Sequence, residues 1–91
     1  MVEEIWVADL KISRATAEKI SRKHHITGQE VRDAVVCVRG LRFTWDDDPE
    51  RGLRALVETE IRDHVVIVVL YPKPTDAYGD AWNLGSAYPR R

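Results

Sequence analysis

Apolar and polar residues alternate with two different periods along this chain, and the change of period divides it. In the first part the spacing is helical. Ser13 is a suitable N-cap, and residues 14–24 behind it are rich in Ala, Glu, Lys and Arg, with Ala17, Ile20 and His24 on one face. His25-Ile26 interrupts that pattern. Thr27-Gly28-Gln29-Glu30 then reads as a capping box, in which the threonine hydroxyl accepts from the third amide and the glutamate reaches back to the cap's own N–H. Val31, Ala34, Val35 and Val38 follow as a single apolar stripe, and Gly40 is placed to supply the left-handed residue that ends this second helix. Cys37 falls inside it, where a core position is expected.

After Gly40 the period drops to two. Leu41, Phe43 and Trp45 alternate with Arg42 and Thr44, which predicts a half-buried strand. Asp46-Asp47-Asp48-Pro49 with Gly52 is turn chemistry, and Leu53, Ala55, Val57 and Ile61 alternate with Arg54, Glu58 and Glu60 beyond it. A turn at Arg62-Asp63-His64 leads into the unbroken apolar run 65–71, expected to be a central strand covered on both faces. Residues 72–79 read as a loop and 82–88 as the last strand, while Ile5, Trp6 and Val7 suggest a short strand ahead of the helices. Helices first and consecutive strands afterwards predict an α+β fold, the helices packed on one face of an antiparallel meander.

Length and composition fit one domain over residues 1–91, of ordinary globular character: 44% hydrophobic and 32% charged residues. No apolar run approaches the roughly 18 residues that a membrane span needs. The acidic start (Glu3, Glu4, Asp9) is unlike a signal peptide, and a single cysteine forms no internal disulfide, so a cytoplasmic location is expected. The net charge of −1 hides an asymmetry. Residues 11–42 hold eight Lys/Arg against three acids, and residues 43–80 hold four against nine. That fits ordinary solvated surface, or a basic helical face able to attract a polyanion.

Several chemistries find no support. His24, His25 and Cys37 lack a zinc spacing, and Asp46–Asp48 lacks the alternating ligands of a calcium loop, so neither a metal site nor a cofactor is expected. No phosphate loop or nucleophile elbow occurs. What remains is a set of acid–base and cationic groups: Lys23-His24-His25 closing the first helix, Arg51, Arg54 and Arg62 around the third strand, and Ser86 and Tyr88 in the last. Such groups suffice to cut RNA. The 2′-hydroxyl attacks the adjacent phosphate, a base takes its proton, an acid protonates the leaving oxygen, and a cation steadies the phosphorane. Histidine suits the base and arginine the phosphate. Each residue also fits a structural role: His24 on the core stripe, His25 at a helix end where the dipole favours a cation, Arg54 as the solvent-facing member of its strand. Trp45 and Trp82 fit the core or a base-stacking surface.

The segment 23–31, Lys-His-His-Ile-Thr-Gly-Gln-Glu-Val, resembles the BrnT family of bacterial toxins, which carry Lys-His-Gly-Val-Ser/Thr followed by Glu-Glu and an apolar helix. Ile5-Trp6 and Lys11-Ile12 look like that family's aromatic start and first helix, and the acidic turn and strands follow in the family's order. Leu84-Gly85-Ser86-Ala87-Tyr88-Pro89 is similar to its closing Ile-Ser-Ala-Arg strand and to the Thr-Ala-Tyr-Pro ending of RelE/barnase-like nucleases. The resemblance implies a RelE-like fold, two helices on a curled antiparallel sheet of four to five strands. It also implies the toxin of a type II toxin–antitoxin system, a metal-independent endoribonuclease that arrests translation. Its partners would be RNA and a cognate antitoxin protein, the latter in a hetero-oligomer. By position the helix-end pair falls on Lys23 and His24, the strand arginine on Arg51 or Arg54, and the terminal serine on Ser86. Tyr88 stands where the family has arginine, which makes it a candidate general acid or phosphate ligand, with Arg90 or Arg91 as replacement charge. The expected catalytic set is His24 or His25, Arg54 and Tyr88, with Lys23, Arg51, Ser86 and Arg90 binding RNA. The competing expectation is a non-catalytic RelE-like protein-binding module, which the acidic balance and the tyrosine at 88 favour.

Overall fold

A computed structural model describes residues 5–73 and 79–90. The elements are β1 (Asp9–Lys11), α1 (Arg14–His24), α2 (Gly28–Val35), β2 (Arg42–Asp48), β3 (Gly52–Ile61), β4 (His64–Pro72) and β5 (Ala81–Pro89). They form one five-stranded sheet in the order β1-β5-β4-β3-β2, so the apolar run is the central strand, as expected, but it is not covered on both faces: Val65 and Ile67 stay open on the side away from the helices. β2 to β5 make the antiparallel meander.

The first strand departs from expectation twice. It lies at Asp9–Lys11 and not at 5–7, and it pairs parallel with β5, so the sheet is mixed and not wholly antiparallel. Residues 5–7 spend their backbone elsewhere. The Trp6 carbonyl accepts from Trp82 Nε1 at 3.0 Å, and the Val7 carbonyl from the Cys37 N–H at 2.8 Å. Ile5 and Val7 are thereby buried beneath the helices' side of the sheet without joining its ladder.

α1 has the predicted bounds. Ser13 Oγ accepts the Thr16 N–H at 3.1 Å, and left-handed His25 (φ 57°) closes the helix with its N–H on Ser21 O at 3.0 Å. The capping box of α2 is also formed: Thr27 Oγ1 accepts the Glu30 N–H at 3.1 Å, and Glu30 accepts the Thr27 N–H at 3.0 Å. α2 nevertheless stops at Val35, short of Gly40. Val36 is extended and Cys37 left-handed (φ 57°), so the Cys37 N–H is free to tie the helix end to Val7. The β-branched Val35-Val36 and Val38 do little to hold a helix against that tie. Cys37 is exposed, not core. Gly40 keeps a left-handed conformation (φ 72°) in the link to β2.

Alternation sets the core. Ile20, Val31 and Val35 from the helices meet Ala55, Val57, Val68, Leu70, Leu84 and Ala87 on one sheet face, each large aliphatic contributing about 1.5–3 kcal/mol by burial. β2 runs on through Asp48, so the turn is confined to residues 49–51 ahead of Gly52 (φ 84°). Arg62 and Asp63, both left-handed, form the two-residue turn from Ile61 to His64. The loop expected over 72–79 falls largely outside the described residues, although Pro72 closes β4. Arg91 lies outside them also. Trp82 is buried, whereas Trp45 is 41% exposed and stacks on it with ring centroids 6.1 Å apart.

Candidate functional site

The sheet face opposite the helices carries the alternate residues of four strands. Two cross-strand rows define its middle and one end. In the first, Thr44, Leu56, Val69 and Ser86 lie abreast on β2, β3, β4 and β5; in the second, Arg42, Glu58, Ile67 and Tyr88 do. The second row floors a groove of about 250 Å³ lined by Arg42, Phe43, Thr44, Leu56, Glu58, Ile67 and Tyr88. Arg90 follows β5, its backbone N–H on the Val65 carbonyl at 2.8 Å, and its Nη1 lies 2.8 Å from Glu58 Oε1. His24, at the end of α1, comes up beside the edge of β5, its ring centroid 6.5 Å from that of Tyr88 at an interplanar angle of 52°. One end of the face thus gathers an imidazole, a phenol, a carboxylate and two guanidinium groups.

The residues singled out from sequence divide between two places. His24, Tyr88 and Arg90 meet at this end, with Ser86 half-buried one row away. Arg54 and Arg51 belong to the other end. Arg54 Nε lies 2.6 Å from Asp46, and its Nη1 is 3.5 Å from Asp48 and 3.3 Å from the Tyr71 hydroxyl. Those partners, the Tyr71 hydroxyl foremost and then the Asp46 carboxylate, raise its pKa further above the ordinary arginine value. Asp48 is held below the ordinary aspartate range by the Glu50 N–H and then by the Tyr71 hydroxyl, which donates at 2.9 Å. The Arg51 guanidinium sits over the Tyr71 ring, 4.1 Å from its centroid. Arg54 is therefore engaged in a local network and does not face Tyr88. His25 is set apart as well: its backbone caps α1, and its carbonyl accepts from Arg62 Nη2. Arg62 also pairs with Glu30 at 2.7 Å, which lowers the Glu30 pKa together with the larger effect of the Thr27 N–H. Lys23 is exposed on the last turn of α1.

Two residues of the groove were not singled out from sequence, Glu58 and Arg42. The signal was there in the register. Glu58 is four positions after Arg54 on the same face, and the three-residue turn after Asp48 sets Arg42 opposite it. Glu58 supplies what the predicted set lacked, a carboxylate in the same row as the Tyr88 phenol, with Ile67 between them. Among the described residues no three His, Cys, Asp or Glu side chains converge as metal ligands, and no helix is long and apolar enough to cross a membrane. No protein-family model, curated protein or solved structure matches the chain.

Proposed function

We propose that the protein is a RelE-like toxin of a type II toxin–antitoxin pair, a metal-independent endoribonuclease whose site is the row Tyr88–Glu58–Arg42 with Arg90 and His24. The single observation that carries this reading is the meeting of His24, Tyr88, Glu58 and Arg90 at one end of an open sheet face. These are the residue types that transesterification of RNA needs. Glu58 accepts the 2′-hydroxyl proton as the 2′-oxygen bonds to phosphorus. His24 or Tyr88 gives a proton to the departing 5′-oxygen, leaving a 2′,3′-cyclic phosphate and a 5′-hydroxyl. Arg90 and Arg42 take the charge that builds on the phosphoryl oxygens. The resemblance of residues 23–31 and of the closing strand to BrnT and RelE/barnase-like toxins supports the same reading. In it, Arg54 and Arg51 support the sheet, and His25 takes no part in the chemistry. The site is cytoplasmic, and the cognate antitoxin silences the toxin by binding it.

The test is induced expression in a bacterial host, comparing the wild type with a His24→Ala/Glu58→Gln/Tyr88→Phe variant, following growth and total RNA. Arrest with RNA loss in the wild type alone is the expected result. Unimpaired growth and intact RNA in both would refute the reading.

A second reading is a non-catalytic protein-binding module on the same scaffold. One observation favours it: the arginine expected to clamp phosphate, Arg54, is balanced by Asp46 and Asp48. A harmless wild type that captures an adjacent-gene partner would select it.

A further inference from the structure

His24 stands on the last turn of α1, one turn beyond Ile20, the residue that the helix buries against the sheet. The middle of the helix is fastened to β5 as well, with Lys19 Nζ 3.2 Å from the Gly85 carbonyl. Helix ends fray, so a histidine on the terminal turn keeps its place only if the chain beyond it is held. Here it is. Ile26 is buried, and its N–H reaches the Ile20 carbonyl at 3.3 Å. Between them His25 is left-handed, and its carbonyl accepts from Nη2 of Arg62, which lies 37 positions away on the turn between β3 and β4. Arg62 Nε lies 2.7 Å from Glu30 Oε2, and Glu30 Oε1 accepts the Thr27 N–H at 3.0 Å. One guanidinium therefore joins the cap that ends α1 to the cap that begins α2.

The turn gives no local reason for an arginine. Arg62 and Asp63 are both left-handed, with φ of 50° and 63°, in a two-residue hairpin turn that asparagine and glycine fit best. A long side chain carries the steric cost of that conformation without a local return. Stability does not account for it either, since Arg62 and Glu30 are both partly exposed and such pairs add little. What the arginine contributes is direction. Its planar guanidinium donates from two nitrogens at once, to a carbonyl and to a carboxylate, and so fixes the angle at which α1 ends.

We infer that Arg62 is a positioning residue, which from the β3–β4 turn holds the end of α1 so that the His24 ring stays beside Tyr88. The chemical consequence rests on the proposed nuclease reading; the geometric one does not.

Arg62→Asn tests it, because asparagine suits the left-handed turn and removes the guanidinium without straining the hairpin. Glu30→Gln is the second variant: glutamine still completes the capping box, and the ion pair with Arg62 is lost. Thermal melts check that both are folded. Two-dimensional proton NMR then follows the ring contacts of His24 with Tyr88, whose centroids are 6.5 Å apart. The wild type is expected to show them, Arg62→Asn to lose them, and Glu30→Gln to weaken them. In RNA cleavage, kcat of Arg62→Asn is expected to fall by about ten- to a hundredfold with KM kept, the signature of a misplaced group and not of lost binding. Ring contacts unchanged in both folded variants overturn the inference, and so does their absence from the wild type. An active Arg62→Asn protein with the wild-type kcat overturns it also. Wild-type protein that leaves RNA intact, with ring contacts that Arg62→Asn loses, would refute the nuclease reading and uphold the positioning.

Discussion

Arg90 reaches across β4 to place its guanidinium 2.8 Å from the Glu58 carboxylate, tying the end of the chain to the middle of the sheet on its open face. Both partners are partly exposed, so the pair adds little to stability. Its consequence is chemical. In the proposed nuclease, a phosphate in the groove would compete for Arg90 and release Glu58 as an acceptor in the row of Tyr88, with Ile67 between the two.

This exchange separates the roles of the two residues. Glu58→Gln is expected to lower RNA cleavage by roughly 10²–10⁴-fold while RNA binding persists, as for the loss of one general acid–base group. Arg90→Ala is expected instead to weaken binding and reduce its salt dependence by about one phosphate contact. Filter binding and gel-resolved cleavage of one oligonucleotide distinguish the two.

The network at the opposite end predicts a structural phenotype. Arg54→Ala leaves Asp46 and Asp48 facing each other without their shared cation, so the melting temperature should fall while the cleavage rate per folded molecule is kept. A loss of cleavage in a fully folded Arg54→Ala protein would return Arg54 to the site.

Gly85 sits at the irregularity where β5 slips against β4, and a Cβ there would strike Tyr71 Cε2 and lie 2.9 Å from Cδ2. Gly85→Ala should therefore destabilise by about 1–3 kcal/mol, the usual cost of overpacking. Because Tyr71 is the ring over which Arg51 lies, chemical denaturation should be accompanied by altered tyrosine absorbance in the folded baseline.

Asp48 links this end to pH. Its pKa is lower in the folded protein than the ordinary value of 3.8, chiefly through the Glu50 N–H and the Tyr71 hydroxyl. A depressed carboxylate adds stability that is complete above its unfolded pKa and is lost as pH falls through the folded one. Thermal melts should show stability falling below about pH 4, with a shallower acid limb in Asp48→Asn. An unchanged limb would mean that Asp48 contributes nothing to it.

Much of the fold is legible because local signals carry it. The Ser13 cap, the Thr27–Glu30 box, the alternation of β2 and β3 and the apolar run of β4 each act within a few residues. The failures are long-range. α2 ends early because the Cys37 N–H finds Val7, thirty positions upstream, and β1 pairs with a strand from the far end of the chain. The site divides in the same way. His24 and Tyr88 were legible from residue type and motif, but their meeting was not. Arg54 is tied to Asp46, Asp48 and Tyr71, partners that sequence spacing does not reveal, and Glu58 comes into the cross-strand row of Tyr88 only through register.

The most direct measurement uses purified protein and a short RNA in buffer containing a metal chelator, with the product ends identified by mass. Cleavage giving a 2′,3′-cyclic phosphate and a 5′-hydroxyl, lost in both Glu58→Gln and Tyr88→Phe and abolished by a 2′-deoxy substitution at the cut, is the predicted result. RNA left intact by the wild type, or cut equally well by folded Glu58→Gln and Tyr88→Phe proteins, would contradict the account.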